Sequence, residues 1–296
     1  VVKLWSAEPP PVAVELWAGY DAHDLSTTAD GSAFAVVDTK GRLFVWDAGT
    51  LRSLHEIETG ANLYGCALTD DTVYVGGSRL VAIDRATGAR RAVDVTGAPL
   101  GKLELDASER LLVASTLYRG RVRVFRVPEL ELLHDVQAPV SHSFAREGDR
   151  FVFVGTDERL HWFDAAAGRF VASAPGAAGM FTVAAGGGEL FVTGEAMRRR
   201  AAGADALSPF GRASSPMSAA VSPDGRRIAI GTGEAQVAIW DRAGSELLVL
   251  DDALKPVEGV AFVAGGRRLV ALSHLPGSPS YVVVWSAPPE VELAPR

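Results

Sequence analysis

Ser222-Pro-Asp-Gly-Arg-Arg-Ile-Ala-Ile-Gly-Thr-Gly-Glu-Ala-Gln-Val-Ala-Ile-Trp-Asp241 contains the pattern that recurs along this chain. Pro223–Gly225 has the chemistry of a tight turn, proline fixing φ and glycine free to take a positive one. A mostly apolar strand follows at Arg227–Gly231, then a turn at Gly231–Ala235. A second strand, Gln236–Trp240, ends in Ile239-Trp240-Asp241. Leu247–Leu250 reads as an outer strand and Val257–Phe262 as the return inward.

Outward from this unit the same kind of ending returns. It is found at Leu4-Trp5-Ser6, Val45-Trp46-Asp47, Ile83-Asp84-Arg85, Phe125-Arg126-Val127, Trp162-Phe163-Asp164 and Trp285-Ser286-Ala287, with an eroded copy near Ala196–Ala202. The markers Trp5, Trp46, Ile83, Phe125, Phe163, Trp240 and Trp285 are separated by 41, 37, 42, 38, 77 and 45 residues. The longest step is two periods with the degenerate copy inside. A period of about 40 residues carrying four short strands predicts an all-β protein, a β-propeller. The 296 residues accommodate seven such units. The expectation is therefore one domain over 1–296: a seven-bladed β-propeller with four antiparallel strands per blade. Phe34–Val37 and Phe151–Val154 are apolar throughout, as strands buried on both faces are. His55–Glu58 is more polar, as an outer edge should be. No amphipathic helix is evident.

The two ends resemble each other. Val1-Val-Lys-Leu-Trp-Ser6 and the residues through Leu16 nearly repeat Val282-Val-Val-Trp-Ser286 and the residues through Leu293. Both read as a third strand followed by an outer strand. A ring without free edges results if the N-terminal segment supplies the outer strand of the last blade. Val12–Trp17 is accordingly expected to pair with Ser280–Trp285. Residues 1–11 then become a leftover, a replacement for the C-terminal tail, or a linker to an upstream region. Valine at position 1 sets the expectation of a piece of a larger multidomain chain.

Composition narrows the partners. A net charge of −7 provides no global basic field for nucleic acid or acidic membranes. Cys66 is the single cysteine, so no intrachain disulfide can form, and it reads as a small buried residue. No apolar run of about 18 residues is present to span a membrane, and no signal-peptide pattern is visible. The Ala-, Gly- and Arg-rich, Lys-poor composition suggests a bacterial source, and the expected location is cytoplasmic.

The histidines at 23, 55, 134, 142, 161 and 274 are dispersed, without zinc-site spacing. Neither Gly-x-Ser-x-Gly nor a phosphate loop is found, and Gly186–Gly188 reads as a turn. The expectation is no metal, no cofactor and no catalysis. Met197-Arg-Arg-Arg-Ala-Ala-Gly203 falls where the fifth unit needs its third strand. Arg198, Arg199 and Arg200 read either as an anionic contact or as a solvated, irregular strand. Ala201–Ser215 is small and polar enough for a mobile loop.

Registering the units on their turns aligns His23, Tyr64, Gly101, His142, Met180, Met217 and Glu258 at the starts of the innermost strands. In a propeller these starts gather around one mouth of the axial channel. Aromatic, thioether and charged groups there make either a contact surface or a plug.

The motifs Ser222-Pro-Asp-Gly225, Ile239-Trp240-Asp241, Leu43-Phe-Val-Trp-Asp47 and Trp285-Ser286 resemble the WD-repeat family over the whole chain. Leu80-Val-Ala-Ile-Asp-Arg-Ala-Thr-Gly88 and Leu160-His-Trp-Phe-Asp-Ala-Ala-Ala-Gly168 also resemble quinoprotein-type repeats. The family's Gly-His pair is missing, with Ala22-His23 at the matching place. Lys40 and Glu234 stand where its turn aspartate belongs, so its buried hydrogen-bond network is expected to be absent from most blades. The resemblance implies a protein or peptide partner rather than catalysis; the aligned mouth residues His23, Tyr64, His142, Met180, Met217 and Glu258 are expected to hold it. The rival class is a propeller hydrolase, lactonase or quinoprotein with a metal or quinone in the channel. A third is an assembly scaffold joined through blade edges.

Overall fold

The apolar runs bounded by Gly, Asp and Pro form strands of two to nine residues. The computed structural model describes residues 12–287 apart from 119, 177–181, 187, 195, 202–203 and 205, and without the side chains of Val12 and His142. Among the described residues twenty-eight strands make seven four-stranded antiparallel sheets, and the helical content is one turn of 3₁₀ helix at Ala264–Gly266. No described helix is long and apolar enough to cross a membrane.

The first blade runs Ala22–Thr27, Ala33–Asp38, Arg42–Asp47 and Ser53–Glu58, each strand paired to the next. The following five occupy 63–94, 100–137, 140–175, 182–209 and 216–250, and the seventh takes 257–286 together with 12–20. The second and third strands are buried almost throughout, whereas outer strands such as Ser53–Glu58 alternate between exposed and half-buried. Among the described residues the core is accordingly divided into seven apolar clusters, most of them spanning two adjacent blades. One joins Ala33, Val45 and Leu43 of the first blade to Val73 and Ile83 of the second. Another joins Phe34 and Trp46 to Val270 and Val284 of the seventh, which completes the circle.

The marker residues sit in these clusters. Trp46 stacks on Phe34 and Phe44 with ring centroids 5.2 and 5.8 Å apart. Trp285 is fully buried and donates its indole N–H to Asp252 Oδ2 at 2.7 Å. In the fifth blade Leu190 pairs with Arg200, as Phe151 pairs with Phe163 and Ile228 with Trp240. Arg200 thus occupies the marker position of the eroded copy. Its guanidinium lies 4.9 Å from the ring centroid of Trp162, which reaches over from the fourth blade. A cation stacked on an indole replaces the aromatic seen in other blades. The strands there are short, Arg198–Arg200 and Ser208–Pro209, and the second of these lies inside the segment expected to be a loop.

Closure follows the sequence expectation. The strand Val12–Tyr20 pairs antiparallel with Pro279–Ser286, Val12 opposite Ser286 and Trp17 opposite Tyr281. At its end Gly19 takes a φ of +83°, where a Cβ would stand 2.4 Å from Asp38 Oδ2. That carboxylate accepts the backbone N–H groups of Tyr20, Lys40 and Arg42 and pairs with the Arg42 guanidinium at 2.6 Å. Asp38, two residues before Lys40, organises this turn and joins the closing strand to the first blade. The leftover expected at residues 1–11 and the C-terminal tail lie outside the described residues.

Candidate functional site

Two places on the axis concentrate polar chemistry. The first is the mouth. In six blades the innermost strand changes register at its start: between Ala22 and Asp24, Leu63 and Gly65, Leu100 and Leu103, Val140 and Phe144, Pro216 and Ser218, and Val257 and Gly259. The residues left without a ladder partner include His23, Tyr64, Gly101, His142, Met217 and Glu258. A bulge inserts an extra residue and re-aims its side chain, so the aligned positions share a backbone irregularity as well as a place in the repeat.

His23 Nδ1 lies 2.9 Å from the Tyr64 carbonyl oxygen, and the two rings meet edge to face at 5.2 Å. Asn62 donates to the Tyr64 hydroxyl at 3.3 Å. Burial lowers the His23 pKa against that carbonyl contact, and burial alone raises Glu258. His274, nearly buried behind this corner, is lowered by burial while Asp21 opposes the shift. Met217 and Tyr64 are half-buried; His23 and Glu258 keep exposed surface at the rim while surrounding protein crowds the imidazole and the carboxyl enough to shift both. The structure brings His23 and Tyr64 into contact. Met180 and the His142 side chain lie outside the described residues.

Arg198, Arg199 and Arg200 form the third strand of the fifth blade and are half-buried. Arg199 donates to the Arg242 carbonyl and lies 5.7 Å from the Phe210 ring centroid, and Arg200 stacks on Trp162. These two guanidinium groups are therefore engaged within the protein.

The second place is the lumen, a cavity of about 430 Å³ reached by residues of all seven innermost strands. None of the mouth residues lines it. It extends instead to the turns at Thr28–Ala29 and Asp106–Glu109, at the opposite end of those strands. Registered on the strand pairings, one layer consists of Ser26, Ala67, Ala145, Ala184, Ala220 and Ala261, with Glu104 in the third blade. In this layer small side chains leave the space and Glu104 is the carboxylate.

Nearer the mouth, polar side chains link successive innermost strands. Asp24 Oδ2 accepts the Cys66 N–H at 2.9 Å, and Lys102 Nζ donates to the Phe144 carbonyl at 2.7 Å. Ser143 bonds Thr182 at 3.0 Å and Ser218 donates to the Val257 carbonyl at 3.0 Å. Glu104 makes the same kind of link, Oε1 accepting the Arg146 N–H at 3.1 Å. Its other oxygen, Oε2, is shielded from solvent and has no hydrogen-bond partner. Burial pushes the Asp24 carboxyl up to about 7, against the pull of the Lys102 ammonium, and raises Glu104 in the same way.

The sequence reading did not anticipate Asp24, Lys102 and Glu104. A signal for them existed: in Lys102-Leu-Glu-Leu105 charged residues alternate with leucine at positions where other units place small residues. Among the described residues no group of three or more His, Cys, Asp or Glu is arranged to hold a metal ion. A comparison of the chain with protein-family models found no match, and neither did a comparison with curated proteins.

Proposed function

We propose that this propeller is a non-catalytic interaction or sensing module of the WD-repeat kind, taking a protein or peptide at the mouth bordered by His23, Tyr64, Met217 and Glu258, with His142 and Met180 aligned to them in the sequence repeat. The observation that carries the reading is the shared register change: six blades place their unpaired residue at the same end of the innermost strand. Tyr64 and Met217 offer apolar contact area of the kind that anchors interfaces. Glu258, raised by burial alone, would be stabilised by a partner's lysine or arginine. The reading includes a cytoplasmic bacterial protein with neither nucleic acid nor membrane as partner.

The test is selection of a displayed peptide library on the purified protein, followed by calorimetric titration of the selected peptides. Tyr64→Ala and Met217→Ala should each weaken binding about fivefold or more, with the thermal melt unchanged. Peptides that bind both variants as tightly as the parent would refute the mouth as the contact surface.

The second reading, a propeller enzyme, is favoured by one feature: Asp24 and Glu104 share a lumen, and burial holds Asp24 near the pKa of a general acid or base. Lactone or ester turnover abolished by Asp24→Asn would establish it.

A further inference from the structure

The fifth blade departs from the other six in two ways, and both departures border one cleft. Its outer strand is two residues long, Ser208–Pro209, against five to nine residues in the other blades. Its marker position carries Arg200, where the others place Trp46, Ile83, Phe125, Phe163, Trp240 and Trp285. An arginine at a position that is apolar in every sister blade gives up core packing, a concession expected where a residue has a use besides folding. Between the fourth and fifth blades lies a cleft of about 390 Å³, lined by Glu147, Arg150, Trp162, Ala172, Ala174 and Arg200, with Ser173 between the alanines. That volume is within the range of small-molecule sites. The cleft shares no residue with the axial lumen or with the mouth.

Stacking on Trp162 at 4.9 Å engages the face of the Arg200 guanidinium and fixes its plane. The donor edge is not engaged. Among the described residues Arg200 donates no side-chain hydrogen bond and joins no ion pair; its Nε is shielded from solvent, but the two terminal nitrogens are not. Arg150, exposed at the start of the fourth blade's second strand, likewise has no ion pair among the described residues. Glu147 stands opposite Arg150 in the hairpin, yet its carboxylate accepts the Trp162 indole N–H at 2.5 Å. The carboxylate thereby holds the ring on which Arg200 rests.

Two guanidinium groups against one carboxylate leave the cleft one positive charge in excess. That excess matches a monoanion; the second charge of a phosphate dianion would face Glu147 without a cation of its own. A guanidinium is a planar fork of donors, the geometry that fits a carboxylate. Ala172, Ala174 and Trp162 give an apolar wall for the body that carries it. We propose that this cleft binds a small carboxylic acid in its anionic form. The carboxylate accepts from the terminal nitrogens of Arg200 and from Arg150, and the apolar body packs on the alanines of the fourth blade's outer strand.

The experiment is isothermal titration calorimetry of the full chain with 3-phenylpropanoate, beside 3-phenylpropanol as neutral analogue and 2-phenylethyl phosphate as dianion. The expected result is one saturable site for the acid, with the alcohol and the phosphate ester at least about tenfold weaker. Arg200→Gln and Arg150→Gln should each weaken the acid at least about tenfold. Ala172→Asp, which adds a carboxylate to the exposed wall, should abolish binding. Circular dichroism melts establish which variants are folded; Arg150 and Ala172 are exposed, so their variants carry the test if Arg200→Gln does not fold. No saturable binding of the acid, an alcohol or phosphate ester that binds equally well, or folded Arg150→Gln and Ala172→Asp variants that keep full affinity would each overturn the assignment.

Discussion

Asp24 is where a single residue has the most to report. Its carboxyl titrates near 7 in the folded chain, raised by burial beside Lys102 and Glu104, against about 3.9 for an unfolded aspartate. Between about pH 4 and 7 the native state therefore holds a proton that the unfolded state has released. Stability must fall as pH rises through that window, and the loss is complete above the folded pKa. Asp24→Asn removes this dependence. Urea unfolding midpoints of the parent should decline relative to the variant from pH 4.5 to pH 7.5, and parallel profiles would show that Asp24 is not held in its neutral form. The markers Trp46, Trp240 and Trp285 were legible in sequence because a large aromatic after a β-branched run stands out anywhere. Asp24, Lys102 and Glu104 were not. Asp24 looks like an ordinary polar residue on its own strand, Lys102 and Glu104 stand out only as charges where other units are small, and only the ring brings strands from separate repeats to one cavity.

At the scale of the element, the innermost strand is the most constrained of the four. It must approach its neighbour around the axis while presenting a bulge at its start. Gly65 shows how close the approach is: a Cβ there would lie 1.7 Å from the Gly101 carbonyl oxygen and 3.1 Å from the Leu103 nitrogen. Both obstacles are backbone, so Gly65→Ala must separate the second and third blades. A cost of about 1–3 kcal/mol is expected, as for other overpacked sites. Chemical denaturation checks it, with Gly49→Ala as comparator, since a Cβ at Gly49 meets only the Asp47 carboxylate at 3.4 Å. A Gly65→Ala midpoint equal to the comparator's would contradict the close approach. Strand positions were readable from the alternation of apolar runs with Gly, Asp and Pro. The bulges were not, because a register change depends on what the partner strand does. The fifth blade was readable only through spacing, which placed its third strand at Arg198–Arg200: Arg200 at the marker position breaks the apolar pattern, and its stacking on Trp162 is a tertiary contact with no sequence signature.

At the scale of the whole molecule, the circle depends on one non-local pairing. Residues 12–20 complete the blade that contains 279–286. Without them the third strand of that blade becomes an edge with unpaired backbone groups, a template for association. A chain lacking residues 1–20 should unfold at lower urea concentration and self-associate in light scattering. A monomer with the parent's midpoint would show that the closing strand contributes nothing to the ring. The near-repeat between the two ends made this pairing readable before any coordinates, because a duplicated half-unit has only one vacancy to fill.

The fastening by Val12–Tyr20 also sets an order of events. A ribosome delivers this strand first, yet its partner emerges only after six blades have been made. The early segment must wait, held to the first blade by the Asp38 turn and by Trp17 packed edge-on against Phe44, until the final hairpin arrives. Contacts so distant along the polymer form slowly. The clasp is therefore the last joint made, and the first to open when a force pulls on the amino-terminal end.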